Sequence, residues 1–280
     1  MSNLVRIAKI SADNRVAAAA ISDDGATLLG PWRDDDPFAA PLILPAPDEA
    51  ANPNGEFLKS DQFSFLPPIS AATKIICLGL NYRDHAEEAG EAPPENPALF
   101  VKLPDSFVGH DNPIYRPRLS AAFDFEGEIA VVIGRAGRHI AKEDAMAHVY
   151  GYTALMDGSV RDYQQHSISA GKCFYQSSSI GPWIVPAESI ADQSAMSLTT
   201  RLNGEEVQTT DTSRMIYDVA TAISYISRWT PLNRGDIVST GTPSGVGAMR
   251  QPPLWMNAGD VIEVSVGGVG ALRNNVVDEQ

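Results

Sequence analysis

Apolar and polar positions along this chain alternate in short runs, and the runs predict strands far more often than helices. Arg6-Ile7-Ala8-Lys9-Ile10 and Val16-Ala17-Ala18-Ala19-Ala20-Ile21 read as β-segments separated by the turn-prone Ser11-Ala12-Asp13-Asn14. Lys74-Ile75-Ile76-Cys77-Leu78-Gly79-Leu80 is apolar and short, as a buried strand would be. Asn81 to Gly90 then predicts one or two helical turns, which set His85 and Glu88 on one face. Ala98 to Lys102, Tyr150 to Leu155 and the glycine-punctuated stretches 235–245 and 259–268 predict further strands, with Gly267-Gly268 as a hairpin turn. Helices are predicted over Lys142 to Val149 and over Ser213 to Trp229, where Met215, Ile216, Val219, Ala222, Ile223 and Ile226 recur at helical spacing. The fold class expected is α+β with β dominant.

Between Pro37 and Pro68 the pattern lapses into Pro, Ala, Asp and Asn, which reads as a covering or linking segment. A boundary near residue 70 would divide the chain into a small β-rich N-terminal domain with its linker (1–70) and a catalytic domain (71–280).

One run departs from ordinary alternation. In Phe123-Asp124-Phe125-Glu126-Gly127-Glu128-Ile129, followed by Ala130-Val131-Val132-Ile133, a single strand would put Asp124, Glu126 and Glu128 on one face. Charges two residues apart lie roughly 6 to 7 Å from each other, and at an effective dielectric of about 20 each pair costs about 2 to 3 kcal/mol. Either water or a divalent cation must offset that repulsion. An acidic ladder is commonly a solvated face, but a strand that continues as a solid apolar run is buried on both faces, which favours the cation. All-oxygen ligands select a hard ion, magnesium, manganese or calcium, over zinc or copper. Glu126 and Glu128 are the preferred ligands, Asp124 is spare, and Asp157, at a predicted strand end before Gly158, is a third candidate.

Bulk properties narrow the classes of function. The formal charge of −14 argues against a nucleic-acid partner, because phosphate-binding surfaces are basic. No apolar run reaches the roughly 20 residues of a membrane span, and Met1 to Arg6 lacks a signal-peptide core, so a cytoplasmic location is expected. Cys77 and Cys173 lie in no metal-binding spacing and read as buried reduced thiols. Gly241-Thr242-Pro243-Ser244-Gly245 displaces its serine from the nucleophile-elbow position, and neither a dinucleotide fingerprint nor a Walker A sequence is present. His85 with Glu88 has the composition of a general base and its orienting carboxylate, although such pairs are also common on surfaces. Arg161, Gln164 and Lys172 suit an anionic substrate, or equally an ordinary surface.

Taken together from Lys74 to Val276, these residues resemble the fumarylacetoacetate hydrolase family. The resemblance lies in Gly79-Leu80-Asn81-Tyr82 with His85 and Glu88, Phe100-Val101-Lys102, Phe125-Glu126-Gly127-Glu128, Asp157 with Arg161-Asp162 and Gln164, Lys172, Gly181-Pro182-Trp183 and Thr240-Gly241-Thr242-Pro243. It implies a mixed β-sandwich roll, a homodimer, and a divalent cation, magnesium or manganese and sometimes calcium, on Glu126, Glu128 and Asp157. It implies a water-activating pair in His85 and Glu88, and substrate contacts at Arg161, Gln164, Lys172 and Thr242. The substrate implied is a 2-oxo or 2,4-dioxo acid, cleaved at a carbon–carbon bond as in an acylpyruvate, with Lys172 and the metal stabilising the expelled enolate. Decarboxylation of an oxaloacetate-type acid and keto–enol isomerisation use the same enolate and stand as alternatives, as does a non-catalytic binding protein. Met156 and Gly158, where many members carry Asn and a bulky residue, leave the substrate open rather than the metal.

Overall fold

The computed structural model describes residues 5–34, 36, 44–51 and 53–280; the first four residues and the start of the proline-rich stretch read as a linker, 37–43, lie outside the described residues. The architecture is β-dominated with few helices and mixed sheets. A twelve-stranded sheet runs, in spatial order, through Phe57–Lys59, Gly25–Leu28, Arg15–Ser22, Ile7–Ala12, Ser178–Pro186, Val149–Met156, Gly127–Ile133, Ile237–Ser239, Ile75–Gly79 and Ala98–Lys102, with Ser64–Leu66 and Phe107–Val108 paired off this path. The N-terminal strands join the rest of this sheet through the antiparallel pair Ile7 and Ile184. A five-stranded sheet packs against it, ordered Glu205–Asp211, Ser197–Leu202, Val261–Val266, Gly270–Asp278 and Ile114–Arg116.

Every residue of Gly127–Ile133 is buried, because both faces of this central strand are covered. Ile129, Val131 and Ile133 pack with Leu198, Val264 and Leu272 of the smaller sheet. Ala130 and Val132 face the opposite way, onto Ile75, Cys77, Leu155, Ile180 and Ile237. At about 1.5 to 3 kcal/mol for each large aliphatic side chain removed from water, this double layer is where the fold gains most from burial. Glu128 sits in that apolar double layer, so its charge must be answered locally.

Two expectations need correction. The acid-bearing strand is two strands, Phe123–Asp124, paired with Ser159–Val160, and Gly127–Ile133; Phe125 and Glu126 form the break between them. The long helix begins at Val219, not at Ser213: Asp218 Oδ1 accepts the Thr221 N–H at 2.7 Å and caps it. Met215 instead bridges to Tyr82, and Ile216 N–H donates to the Asn81 carbonyl, so these two continue the apolar period without belonging to the helix. Cys77 is buried and Cys173 half-buried, both free thiols. No helix among the described residues is long and apolar enough to cross a membrane.

Candidate active site

The break between the two strands creates the site. Asp124 accepts hydrogen bonds from Phe125 N–H at 2.8 Å and Gly247 N–H at 2.7 Å on one oxygen. Its other oxygen accepts from Ala248 N–H at 2.9 Å and Arg161 Nε at 2.8 Å. Asp124 is thereby committed elsewhere, and the three acids do not share one face. Gly127 is held on both sides of its peptide: its N–H donates to Gln208 Oε1 at 2.8 Å, and its carbonyl accepts from Thr242 Oγ1 at 3.0 Å. A Cβ at this position would collide with Thr200 Oγ1, so only glycine lets the chain lie so close to the smaller sheet.

Glu126, Glu128 and Asp157 converge. Their carboxylate oxygens lie within 4.8 Å of one another, all three side chains are buried, and among the described residues no other group of acids, histidines or cysteines does this. Asp157 follows directly on strand Val149–Met156, and its N–H donates to the Glu126 carbonyl at 2.8 Å, locking the strand end to the break. Gly158 beside it takes no side chain because Ser177 carbonyl approaches too closely.

Three cations surround the acids. Lys172 Nζ lies 2.5 Å from Glu126 Oε2 and 3.0 Å from Asp157 Oδ2. Lys102 Nζ lies 2.6 Å from Asp157 Oδ1 and 3.0 Å from Ser178 Oγ. Arg161 Nη2 stands 2.7 Å from Asp124 Oδ2 and 2.8 Å from Glu126 Oε1. Burial favours the neutral forms of both Glu126 and Lys172, but their pairing outweighs it. Lys172 and Arg161 hold Glu126 down at about 2, while Asp157 and Glu126 raise Lys172.

Glu128 is the exception. Burial, reinforced by the charges of Asp157 and Glu126, pushes it up to about 8, and the Ser239 hydroxyl that donates to it offsets only part of this. The charge count explains why. Four carboxylates, Asp124, Glu126, Glu128 and Asp157, face three cations, Lys102, Arg161 and Lys172, which leaves one negative charge uncompensated. Asp157 Oδ2, although near Lys172, makes no aligned hydrogen bond and keeps a lone pair available. An excess of negative charge, hard oxygen donors and an unengaged oxygen fit a divalent cation, for which Glu126, Glu128 and Asp157 could serve as ligands.

A cavity of about 160 Å³ opens above Glu126 and Lys172 and is bordered by His85, Arg161, Gln164 and Thr242, with Leu78, Phe100 and Ile168 as its apolar wall. His85 lies on helix Arg83–Glu88; its Nδ1 is 3.2 Å from Glu88 Oε2, which assigns the proton to Nδ1 and leaves Nε2 as the basic nitrogen. Glu88 stands behind the histidine and is itself fixed by Gly245 N–H at 2.9 Å. The hydroxyl of Thr242 is taken up by Gly127 carbonyl and by the Gln208 amide at 2.8 Å, so it serves the frame of the site. Arg161 Nη1 donates to Gln164 Oε1 at 2.9 Å across one turn of helix Arg161–Gln164.

Sequence reasoning assigned no role to Lys102, Gln208 or Ser239, and it left Asp124 spare. Ser239 ends the apolar strand Ile237–Ser239 as Asp157 follows Val149–Met156, so the same signal was present there. Lys102 and Gln208 carry no such mark: their partners lie 55 and 81 positions away.

Comparison with known proteins places the chain among relatives of one family. The family described as fumarylacetoacetate (FAA) hydrolase C-terminal matches residues 74–277. The mitochondrial oxaloacetate tautomerase fahd2 of Xenopus laevis is 39% identical over 232 residues, covering 81% of this chain and 73% of that protein. A fumarylacetoacetate hydrolase from Exiguobacterium antarcticum superposes with a TM-score of 0.84 at 32% identity, covering 98% of this chain and 100% of that one. A 2-hydroxyhepta-2,4-diene-1,7-dioate isomerase from Mycobacterium marinum gives 0.78 at 32% identity, covering 98% and 99%.

Proposed function

Because the chain belongs to the fumarylacetoacetate hydrolase family, we propose that it catalyses keto–enol proton transfer on a small 2-oxo dicarboxylic acid, with oxaloacetate as the first substrate to test. The observation that carries this reading is the cavity itself: a histidine base above a buried carboxylate cluster, in a space of about 160 Å³. That is well under the roughly 300 to 1,000 Å³ of pockets built for larger ligands, and suits a small acid. The tautomerase activity named for the Xenopus relative supports the same order of preference.

Glu126, Glu128 and Asp157 would hold the cation, magnesium or manganese before calcium. A bound divalent ion supplies positive charge beside an oxygen on which enolate charge develops. Arg161 and Gln164 would receive the substrate carboxylate together, through the remaining Nη1 hydrogen of the guanidinium and the Gln164 amide. Lys172 adds a fixed positive charge that needs no reorganisation when the enolate forms. His85 Nε2 takes the proton from one end of the enol system and returns it to the other, while Glu88 keeps the ring in that tautomer. Leu78, Phe100 and Ile168 keep bulk water from the reacting carbon.

Hydrolysis of a carbon–carbon bond in an acylpyruvate-like 2,4-dioxo acid is the second reading, favoured by the same histidine pair, which could equally deprotonate water. Decarboxylation, which needs no base, is the third. We also propose a homodimer, supported by the exposed Val101, Leu103 and Trp229 on and beside the sheet-edge strand Ala98–Lys102, a small N-terminal domain ending near residue 70, and a cytoplasmic location. Purified full-length chain with magnesium or manganese should accelerate the decay of enol-oxaloacetate absorbance, and His85→Gln should lose about 10² to 10⁴ of that acceleration. Absence of any acceleration, with turnover of an acylpyruvate in a parallel panel, would move the second reading to first place.

A further inference from the structure

Asp124 holds none of the substrate or metal in the reading above, yet it is completely buried and its carboxylate is the most heavily engaged in the site. We propose that it is a positioning residue that joins Arg161 and the Gly247-Ala248 turn into one body, so that the arginine of the cavity and the backbone supporting Glu88 are held by the same group. The proposal rests on the cavity being the substrate site.

The geometry runs in two directions from this carboxylate. Toward the cavity, Arg161 Nε donates to Oδ2 at 2.8 Å, and Nη2 lies 2.7 Å from the same oxygen as a close ion pair, which anchors the guanidinium. Nη1 is thereby aimed at Gln164 Oε1. Away from the cavity, Gly247 and Ala248 donate their N–H groups to the two oxygens, pinning the short helical turn Gly247–Met249. The same loop reaches helix Arg83–Glu88 twice: Gly245 N–H donates to Glu88 Oε1, and Ser244 Oγ donates to Asp84 Oδ2 at 3.1 Å. A continuous set of hydrogen bonds therefore links Arg161 to the histidine pair through one acid.

Two features separate this from simple capping. All of the partners of Asp124 are donors, so no orientation of an amide in its place can satisfy them: turning NH₂ either way sets it against backbone N–H or guanidinium. In addition, Glu126 is the only other acid that Arg161 touches among the described residues. Without Asp124 the guanidinium would be free to swing onto Glu126, away from the orientation a substrate carboxylate requires. A residue that only supports the fold would, on replacement, reduce the amount of active protein and leave substrate affinity alone.

The test is Asp124→Asn in the full chain, measured by hydrogen–deuterium exchange and by steady-state turnover of oxaloacetate with magnesium. Exchange is expected to rise in segments 244–250 and 83–88 together. KM should rise about tenfold, with a smaller fall in kcat, the size expected when a charge-assisted contact to the binding group is lost. Asp124→Asn added to Arg161→Gln should raise KM no further. Unchanged exchange in 83–88, or a fall in kcat at constant KM, overturns the proposal. If the wild-type chain does not turn over oxaloacetate, the functional reading fails and the exchange result still decides this one. If Asp124→Asn does not fold, Arg161→Gln alone should raise exchange in 244–250, and no change there overturns it.

Discussion

Replacing Glu128 with glutamine should stabilise the metal-free protein at pH 8 and abolish its stabilisation by magnesium. Glu128 is a buried carboxylate whose folded-state value is pushed up from 4.5 to about 8, first by burial and then by Asp157 and Glu126. The folded state thus binds the proton more tightly than the unfolded chain, and stability is lost as pH rises from about 4.5 through about 8. At about 1.4 kcal/mol per pH unit, wild-type protein in chelator forfeits at most about 4 kcal/mol at pH 8 relative to a neutral group of the same shape. Glutamine is that group, and its amide oxygen can still accept the Ser239 hydroxyl. In a chain of this size the difference corresponds to a rise in Tm on the order of 10 °C. Added magnesium should reverse the ranking, because a ligand that binds only the native wild-type site stabilises it by mass action. Thermal melts at pH 5 and pH 8, each with chelator and with magnesium, measure all four corners. A glutamine variant less stable than wild type in chelator at pH 8, or one stabilised by magnesium as much as wild type, refutes the charge argument.

Gly127→Ala should destabilise by about 1 to 3 kcal/mol, since its Cβ collides with Thr200 Oγ1 in a filled core, and calorimetry with manganese should show weaker binding as the flanking ligands are displaced. Lys102→Met should cost about 3 to 5 kcal/mol in denaturant unfolding by leaving Asp157 without its closest cation, and Lys102→Met with Asp157→Asn should recover part of that loss. Lys9, brought down to about 8 by burial despite Asp36, gives its proton up first in the folded state. The stability of wild type relative to Lys9→Met should therefore climb by about 3 kcal/mol between pH 8 and pH 10.5, and a flat difference removes the burial cost from the account.

What could be foreseen from the residues follows a physical divide. Glu126, Glu128 and Asp157 stood out because charge inside or at the end of an apolar strand has no cheap explanation, and the structure brings all three together. His85 and Glu88 stood out by spacing on a helical turn. Asp124 looked the equal of its neighbours because alternation says nothing about where a strand breaks; the break depends on Gly247 and Ala248, more than 120 positions away. The start of the helix Val219–Trp229 was misjudged because Met215 and Ile216 keep the apolar period, while the cap that stops it is one aspartate. Lys102 was invisible for a related reason: a lysine closing a sheet-edge strand is ordinary until the pairing of that strand brings it beneath Asp157.

The cluster of acids is carried by central strands buried on both faces, whereas the groups that border the cavity, His85, Arg161, Gln164 and Lys172, sit on helices of four to six residues. Such short helices hold their shape through neighbours rather than through their own cooperativity, and here the neighbours are the buried acids that Arg161 and Lys172 neutralise. Rim and floor are thus one electrostatic unit: the cations that border the cavity are the same ones that hold the acids beneath it. Redesign of its substrate range should therefore begin at the apolar wall, Leu78, Phe100 and Ile168, and keep Arg161 and Lys172 in place.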